Sequence, residues 1–522
     1  MCQTFPPLIL EDYFTGRSLR LYYKHRKGGM TAVILGGGVS GLSSAFYLLR
    51  NSANPFKKII LLEASDRVGG WVHTTRLDNA AIFEHGPRSM RVNINKPSGK
   101  NSLSLITELG LSGDLVYVNK SHPATKNRFI YKNKTLHQLP NSLKQIFLSS
   151  PLFTQPLYKT LWKEMKIPRG KEDDESIHSF ISRRFGSEMA KNIADPFIRG
   201  IFAGDISKLS IKSCLPDIYE MEQKHGSVVN GMFSTKPAAD TEVYALNDIR
   251  LAKLFKWSIW SLRNGLSQLT DTLESFLLTK EMVDIRKSTP CTKLEFNDNK
   301  VKVHTDNEVI TADHVVSALP AQDLSSLIGT QHKALTNSLN RIQAVSCVVV
   351  NLEYKNYSPK FEGFGHLLPS SEDPSVLGVI YDSSTFKQHD TNKYISCRYT
   401  VMLGGAWYDH LVERLGDLKD STIQKFVCQV IKDQLKINLE PSEVIVSVLK
   451  SCIPQYYVGH SKILNTVDSY IDNNNLPLSL VGASYKGVSV SDCILNAKIA
   501  VNKICSKPSP PTDKHHDTTQ SA

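Results

Sequence analysis

The sequence predicts an α/β fold, α+β over its whole length, in which a parallel-sheet domain is interrupted by one helical and one antiparallel-sheet insertion. Three observations predict it. Two short, wholly apolar runs at 32–35 and 59–62 flank a glycine-rich turn and an amphipathic segment. From residue 119 prolines break the chain into short pieces without sustained alternation, and further on strand-like runs return with helical ones between them. Strands that come back after a long excursion indicate a discontinuous domain carrying insertions.

The elements follow in order. Ala32-Val33-Ile34-Leu35 is too short for a helix and apolar at every position, the pattern of a strand buried on both faces of a parallel sheet. Leu42, Ala45, Phe46 and Leu49 recur at helical spacing. Ile59-Ile60-Leu61-Leu62 repeats the buried-strand pattern and ends at Glu63, completing a βαβ unit. Between 119 and 249, prolines at 123, 140, 151, 156 and 168 punctuate the chain. There Leu143, Ile146, Phe147, Leu152, Phe153, Leu157, Tyr158, Leu161 and Trp162 are interleaved with Lys144, Lys159, Lys163 and Lys166. Aromatics in an acyl boundary with lysines at headgroups would give this composition, and so would a helix packing on its own domain. Residues 233–246 read as a polar loop. Strands are predicted at 301–305, 315–318, 345–352, 376–381 and 444–449, and Ile423, Phe426, Val427, Val430 and Ile431 predict an amphipathic helix.

Composition narrows the classes. A chain of 522 residues holds two or three core-bearing units at roughly 150 residues each. The 62 basic against 50 acidic residues leave a net charge of +12, which favours an anionic partner. No basic block with interleaved aromatics predicts a nucleic-acid groove. The nine cysteines are scattered without a C-x-x-C pair, arguing against a disulfide scaffold or zinc site and for reduced thiols in an intracellular setting. No apolar run reaches transmembrane length. Residues 1–30 lack the apolar core of a secretory signal and read as an extension ending at Met30; residues 506–522 are too poor in apolar residues to fold.

The chemistry begins at Gly36-Gly37-Gly38-Val39-Ser40-Gly41, which sits between the first strand and helix. In that place Gly36 permits a tight turn, Gly38 lets the backbone approach a pyrophosphate, and Gly41 lets helix and strand pack closely. The helix N-terminus adds N–H donors, and Glu63 ends the second strand where a carboxylate can meet a ribose. Arg67, four residues on, is placed to meet a phosphate.

Glu63 to Gly70, with Arg67, Gly69 and Gly70, resembles the E-x-x-x-R-x-G-G continuation of amine-oxidase-like flavoproteins and predicts FAD rather than NAD. Further stretches resemble the protoporphyrinogen oxidase family: Gly70-Trp71, Ile82-Phe83-Glu84-His85-Gly86-Pro87-Arg88, Asn127-Arg128-Phe129, Arg199-Gly200-Ile201-Phe202, Gly363-Phe364-Gly365-His366-Leu367, Val401-Met402-Leu403-Gly404-Gly405, and Gly482-Ala483-Ser484-Tyr485-Lys486-Gly487-Val488-Ser489-Val490. The matches run in order from about 31 to 505. Asn264, and Asn496-Ala497 in place of a Ser-Gly pair, depart from the family pattern without touching a proposed side-chain role.

The resemblance implies a discontinuous Rossmann-like FAD-binding domain at 31–118, 250–325 and 475–505. It further implies a helical membrane-associated domain at 119–249 and an antiparallel-sheet substrate domain at 326–474. One non-covalent FAD would be held by Gly36, Gly37, Gly38, Val39, Ser40, Gly41, Glu63, Ala64, Trp71, Gly86, Pro87, Arg88, Ser89, Ala483, Val488, Ser489 and Val490, and by the Cys291 backbone. Arg128 would pair with a substrate propionate. Phe364, Leu367 and Met402 would line a tetrapyrrole slot, with Gly200 and Gly365 giving the ring clearance. No catalytic acid, base or nucleophile and no metal is implied. The implied reaction removes hydride from a methylene bridge of protoporphyrinogen IX, with molecular oxygen as final acceptor and hydrogen peroxide released. The implied setting is the intermembrane-space side of the mitochondrial inner membrane, peripheral or monotopic at the lipid surface, with a homodimer and ferrochelatase as partners. A coproporphyrinogen oxidase of the same family is the main alternative. A flavin oxidase or desaturase acting on amines or carotenoids, and a Rab-escorting protein of this fold that does not use FAD, are the others.

Overall fold

The computed structural model describes residues 29–234, 244–297 and 299–506. The readings made for residues 1–28, for 235–243 of the polar loop and for the tail beyond 506 lie outside the described residues.

The predicted βαβ unit forms the centre of a five-stranded parallel sheet. Its order is Val283–Arg286, Phe56–Leu62, Met30–Leu35, His314–Ser317, Leu478–Leu480. Alternation along each strand explains why the apolar runs are unbroken. Ala32, Ile34, Ile59 and Leu61 point into a core closed by helices Val39–Arg50, Ser267–Leu278 and Val490–Ser506. Val33, Leu35, Ile60 and Leu62 point to the opposite core. That second core is closed by the meander Cys291–Asn297, Lys300–Thr305, Val309–Ala312 and by helices Ala321–Ile328, Lys333–Leu339 and His460–Asn473. Both faces are covered, which is why 32–35 and 59–62 are apolar at every position. Helices Lys333–Leu339 and His460–Asn473 lie within 326–474 yet pack here, so the part of that stretch with its own core is narrower.

That part is a seven-stranded sheet ordered Glu443–Pro454, Ala344–Lys355, Ser396–Gly405, Val376–Tyr381, Gly365–Leu367, Phe129–Lys132, Thr135–Gln138. Pairing is antiparallel except between Gly365–Leu367 and Phe129–Lys132, which run parallel. The last two strands come from the 119–249 stretch, which therefore contributes to the substrate sheet as well as to helices. The helix predicted from Ile423 and its neighbours is Asp420–Leu435, and it covers one face of this sheet. A separate helical core gathers Ile177, Phe180, Ile181, Ile198 and Phe202. A small sheet, Met90–Arg91, Trp257–Leu262 and Leu115–Asn119, lies between the units.

Candidate cofactor and substrate site

The glycine turn is held from below by the Gly36 N–H, which donates to the Leu62 carbonyl at 2.8 Å. Gly36 has φ +93°, a conformation that glycine adopts without cost. A Cβ on Gly41 would stand 1.9 Å from the Gly36 oxygen, so the helix start and the turn touch directly. A Cβ on Gly38 would meet nothing nearer than the Gly70 Cα at 3.9 Å. That face of the turn is open. Gly38 is also the N-cap of helix Val39–Arg50 and supplies no side-chain cap, leaving first-turn N–H groups for an anion.

The second glycine pair docks against the first. Gly69 N–H donates to the Gly37 carbonyl at 2.9 Å, and a Cβ on Gly70 would stand 3.2 Å from the Gly38 Cα. Glu63 closes the arrangement: one carboxylate oxygen accepts the Gly37 N–H at 2.7 Å, the other accepts the Ser65 N–H and hydroxyl at 2.8 Å. The Arg67 side chain turns back on its own segment. Its guanidinium donates to the carbonyls of Val68 and Gly70, at 3.2 and 2.9 Å, and so braces its own turn.

Of the remaining predicted cofactor residues, Val490 shares a core with Val39 beside the glycine turn, whereas Val488 packs against the helical core. A Cβ on Gly482 would lie 3.6 Å from the Ser40 hydroxyl, so the closing segment lies over the start of the first helix. Tyr456 ties down the Ala483 carbonyl through its hydroxyl. Thr289 N–H donates to the Glu63 carbonyl at 2.9 Å, bringing the start of the strand Cys291–Asn297 alongside the Glu63 segment. Burial pushes the Cys291 thiol up to about 11, so it stays protonated and uncharged. A Cβ on Gly86 would strike the Trp71 carbonyl at 2.4 Å, which explains the glycine there.

Arg88 reaches away from the turn. Its Nη1 donates to Asp382 Oδ1 at 3.0 Å and to Thr400 Oγ1 at 2.5 Å, tying the Gly86-Pro87-Arg88-Ser89 segment to the seven-stranded sheet. Its Nη2 is buried without a protein partner, beside a small cavity also lined by Glu84, Ser89, Phe364 and Asp382. Asn351 donates to the Glu84 carbonyl at 3.0 Å from the neighbouring strand. Thr400 and Met402 stand two residues apart and project from one sheet face. Met402 is paired with Gly378, and Gly378 with Leu367, so Met402, Gly378 and Leu367 form a row across that face. The cofactor segment and the apolar row thus share one side of the sheet.

Gly200 and Leu367 come together, since a Cβ on Gly200 would stand 2.8 Å from Leu367 Cδ2. The absence of a side chain at Gly200 leaves room for Leu367. Gly365 is likewise explained by the protein itself: its φ is +145°, and a Cβ would strike the Val379 carbonyl at 2.2 Å. The Arg128 guanidinium lies over the Phe364 ring, 5.8 Å from its centroid, and the Phe364 N–H donates to the Asn127 carbonyl at 3.1 Å. Among the described residues no cluster of His, Cys, Asp or Glu has the geometry of a metal site.

Residue reasoning missed Glu84, Thr400 and Asp382. For Thr400 the signal was the alternation Arg398, Thr400, Met402 along the strand Ser396–Gly405; Glu84 and Asp382 stand on other elements and carried none. Glu84 is buried, accepting the Leu266 N–H at 2.6 Å and the Thr74 hydroxyl at 2.7 Å, and burial pushes its carboxyl up to about 7. A carboxyl raised in the folded state binds its proton more tightly than in the unfolded chain. Stability is therefore expected to fall as pH rises from about 4.5 to about 7, by on the order of 3 kcal/mol from this group. Glu84→Gln should flatten that part of the profile in denaturant titrations across this pH range; an unchanged slope would refute the assignment.

The comparisons agree with this geometry. The model for flavin containing amine oxidoreductases matches residues 39–505. Human protoporphyrinogen oxidase is 40% identical over 478 residues, covering 90% of this chain and 98% of that protein. Bacillus subtilis coproporphyrinogen III oxidase is 28% identical over 491 residues, covering 91% and 98%. A crystal structure from Exiguobacterium sp. 255-15 superposes with a TM-score of 0.74 at 26% identity, covering 91% of this chain and 98% of that one. An open glycine turn, an uncapped helix start and Glu63 fit FAD, the cofactor of the family. With that fit, and with nearly end-to-end similarity to the human enzyme, this chain belongs to the protoporphyrinogen oxidases among the flavin containing amine oxidoreductases.

Proposed function

We propose that this chain oxidises protoporphyrinogen IX to protoporphyrin IX, the penultimate step of haem biosynthesis. Six electrons pass to three molecules of oxygen, which leave as three of hydrogen peroxide. The observation that carries the reading is the shared face: the apolar row Leu367, Gly378, Met402 lies on the same side of the sheet as Thr400, the Arg88 partner.

FAD, when bound, supplies the hydride acceptor. The chain's own residues bind and orient. The glycine turn and the uncapped helix start hold the phosphates, and Glu63 stands beside them for the ribose. The row Leu367, Gly378, Met402 offers a flat apolar floor to a macrocycle, and Arg128, stacked on Phe364, meets a propionate at its edge. His85 is held between Thr75 and Ser447, and burial lowers it to about 4, so it stays neutral at physiological pH. No side chain here is needed as base or nucleophile.

The segment 143–166 supports a membrane-facing reading. Phe147, Leu148, Tyr158 and Trp162 are exposed, Phe147 stacks on Tyr158 at 5.3 Å, and the Lys166 ammonium lies 3.4 Å from the Trp162 ring centroid. Met232 and Phe233 are exposed as well. No helix among the described residues is long and apolar enough to cross a membrane. Attachment to one leaflet by this surface is the proposal, at the inner mitochondrial membrane by kinship with the animal enzymes.

The reaction is tested by following porphyrin fluorescence under air with each porphyrinogen. Protoporphyrinogen should be oxidised at least about tenfold more efficiently than coproporphyrinogen. A reversed preference would make the chain a coproporphyrinogen oxidase.

A further inference from the structure

Arg91 has no role in the site described so far. It stands on the two-residue strand Met90–Arg91, whose Met90 side chain is buried in the parallel-sheet core. Pairing sets Arg91 opposite Ile259, and Ile259 opposite Val118. Paired residues project from the same face of a sheet, so Arg91, Ile259 and Val118 form one row. Over Ile259 and Val118 the face of that row is covered by Phe386 and Phe364, which pack with Val116 as well, while Arg91 at the end of the row is exposed. Phe364 is the ring on which Arg128 stacks. The two arginines therefore approach one aromatic patch from different elements.

Among the described residues neither guanidinium is paired with a carboxylate, although Arg88, Arg183, Arg184 and Arg398 all are. The protein around Arg91 lowers its guanidinium below the ordinary arginine value. Arg128 is lowered by burial and then by the positive charge of Arg91. Two like charges that feel each other across a partly desolvated patch cost free energy until an anion enters between them.

We propose that Arg91 is a second carboxylate-binding residue, Arg91 and Arg128 each taking one of the two propionates of the tetrapyrrole. The inference rests on the substrate class proposed above. A single anchor leaves a flat ring free to swivel on an apolar floor. Two anchors set which edge of the ring lies towards the Arg88 segment, and orientation of this kind is worth rate as well as affinity. The planar arginine fork suits each carboxylate better than a lysine would.

The test uses the flavin-loaded full chain, with protoporphyrinogen and its uncharged dimethyl ester as alternative substrates. Arg91→Gln should lower kcat/KM for the diacid about tenfold and leave the ester within about twofold of the parent. Arg91→Lys should recover part of the loss, and visible flavin absorption should be unchanged in both variants. Equal losses on diacid and ester, or no loss on either, would overturn the second anchor. Binding of the product porphyrin and of its dimethyl ester, read by fluorescence quenching, repeats the comparison without turnover. A parent chain that oxidises neither porphyrinogen but still loses diacid binding in Arg91→Gln would overturn the proposed reaction while keeping the anchor.

Discussion

Gly41→Ala is expected to give a protein that holds no flavin and unfolds more readily, whereas Gly38→Val is expected to lose the flavin alone. The two glycines differ in what a side chain would meet. At Gly41 the added carbon would lie 1.9 Å from the Gly36 oxygen and 3.1 Å from its carbonyl carbon, both backbone atoms that cannot rotate away. The helix start must then lift off the turn, an overpacking cost of about 1–3 kcal/mol or more. At Gly38 the backbone is extended, with φ −68° and ψ 177°, which valine adopts readily, and only the Gly70 Cα lies near. The valine would instead occupy the face turned towards the cofactor. Flavin retention on gel filtration should fall at least about tenfold in both variants, and the apo-protein melting curve should shift only for Gly41→Ala. A Gly38→Val protein that keeps its yellow colour would show that the cofactor does not approach this face.

Arg184→Met is expected to destabilise the helical region by about 3–5 kcal/mol, because it leaves a carboxylate in the interior without its counter-charge. Arg184 and Glu164 are both fully buried. Arg184 also donates to the carbonyls of Ile167, at 2.8 Å, and of Glu164 itself, at 3.1 Å. Glu164 accepts the Ser227 hydroxyl at 2.6 Å and the N–H groups of Val228 and Val229 at 2.9 and 3.2 Å. Burial raises this carboxyl, but the hydrogen bonds outweigh burial and hold it below its usual range. Its contribution is thus present above the unfolded-state value and is lost as pH falls through the folded one. Glu164 ends the helix Leu157–Glu164, so the ion pair fastens the exposed Tyr158 and Trp162 surface to the helical core. Arg184→Met should speed limited proteolysis near 143–166 and weaken flotation with anionic vesicles. Phe147→Ser with Trp162→Ser should weaken flotation while leaving proteolysis unchanged. Unaltered flotation in the double variant would remove the membrane proposal.

The cofactor half of the site was the more legible half, because its residues are neighbours in the chain. Residues 36–41 and 63–70 lie within one βαβ unit, and backbone geometry at a strand–helix junction forces glycine at set places. What that reading did not supply was the local bracing by Arg67, which gives two of its donors to carbonyls one and three residues away. A local turn competes for a guanidinium as well as any ligand does, and sequence does not say which wins. The substrate half was legible only through resemblance. Leu367, Gly378 and Met402 come from three strands, and their side-by-side row depends on register.

By itself the sequence determined the α/β class, the strand, helix and strand of the first βαβ unit, and the glycine turn with its carboxylate at Glu63. These follow from short-range rules: period, chain stiffness, and which residues tolerate a tight turn. Only the tertiary structure decided that Leu478–Leu480, within a stretch the resemblance had assigned to the first domain, forms the edge strand of its sheet, and that two strands near 130 complete the substrate sheet. It alone brought Arg88 to Asp382 and Thr400, and Gly200 under Leu367. Such contacts join residues far apart in the chain. Their partners are selected by how whole faces bury apolar area together, and no local pattern records that choice.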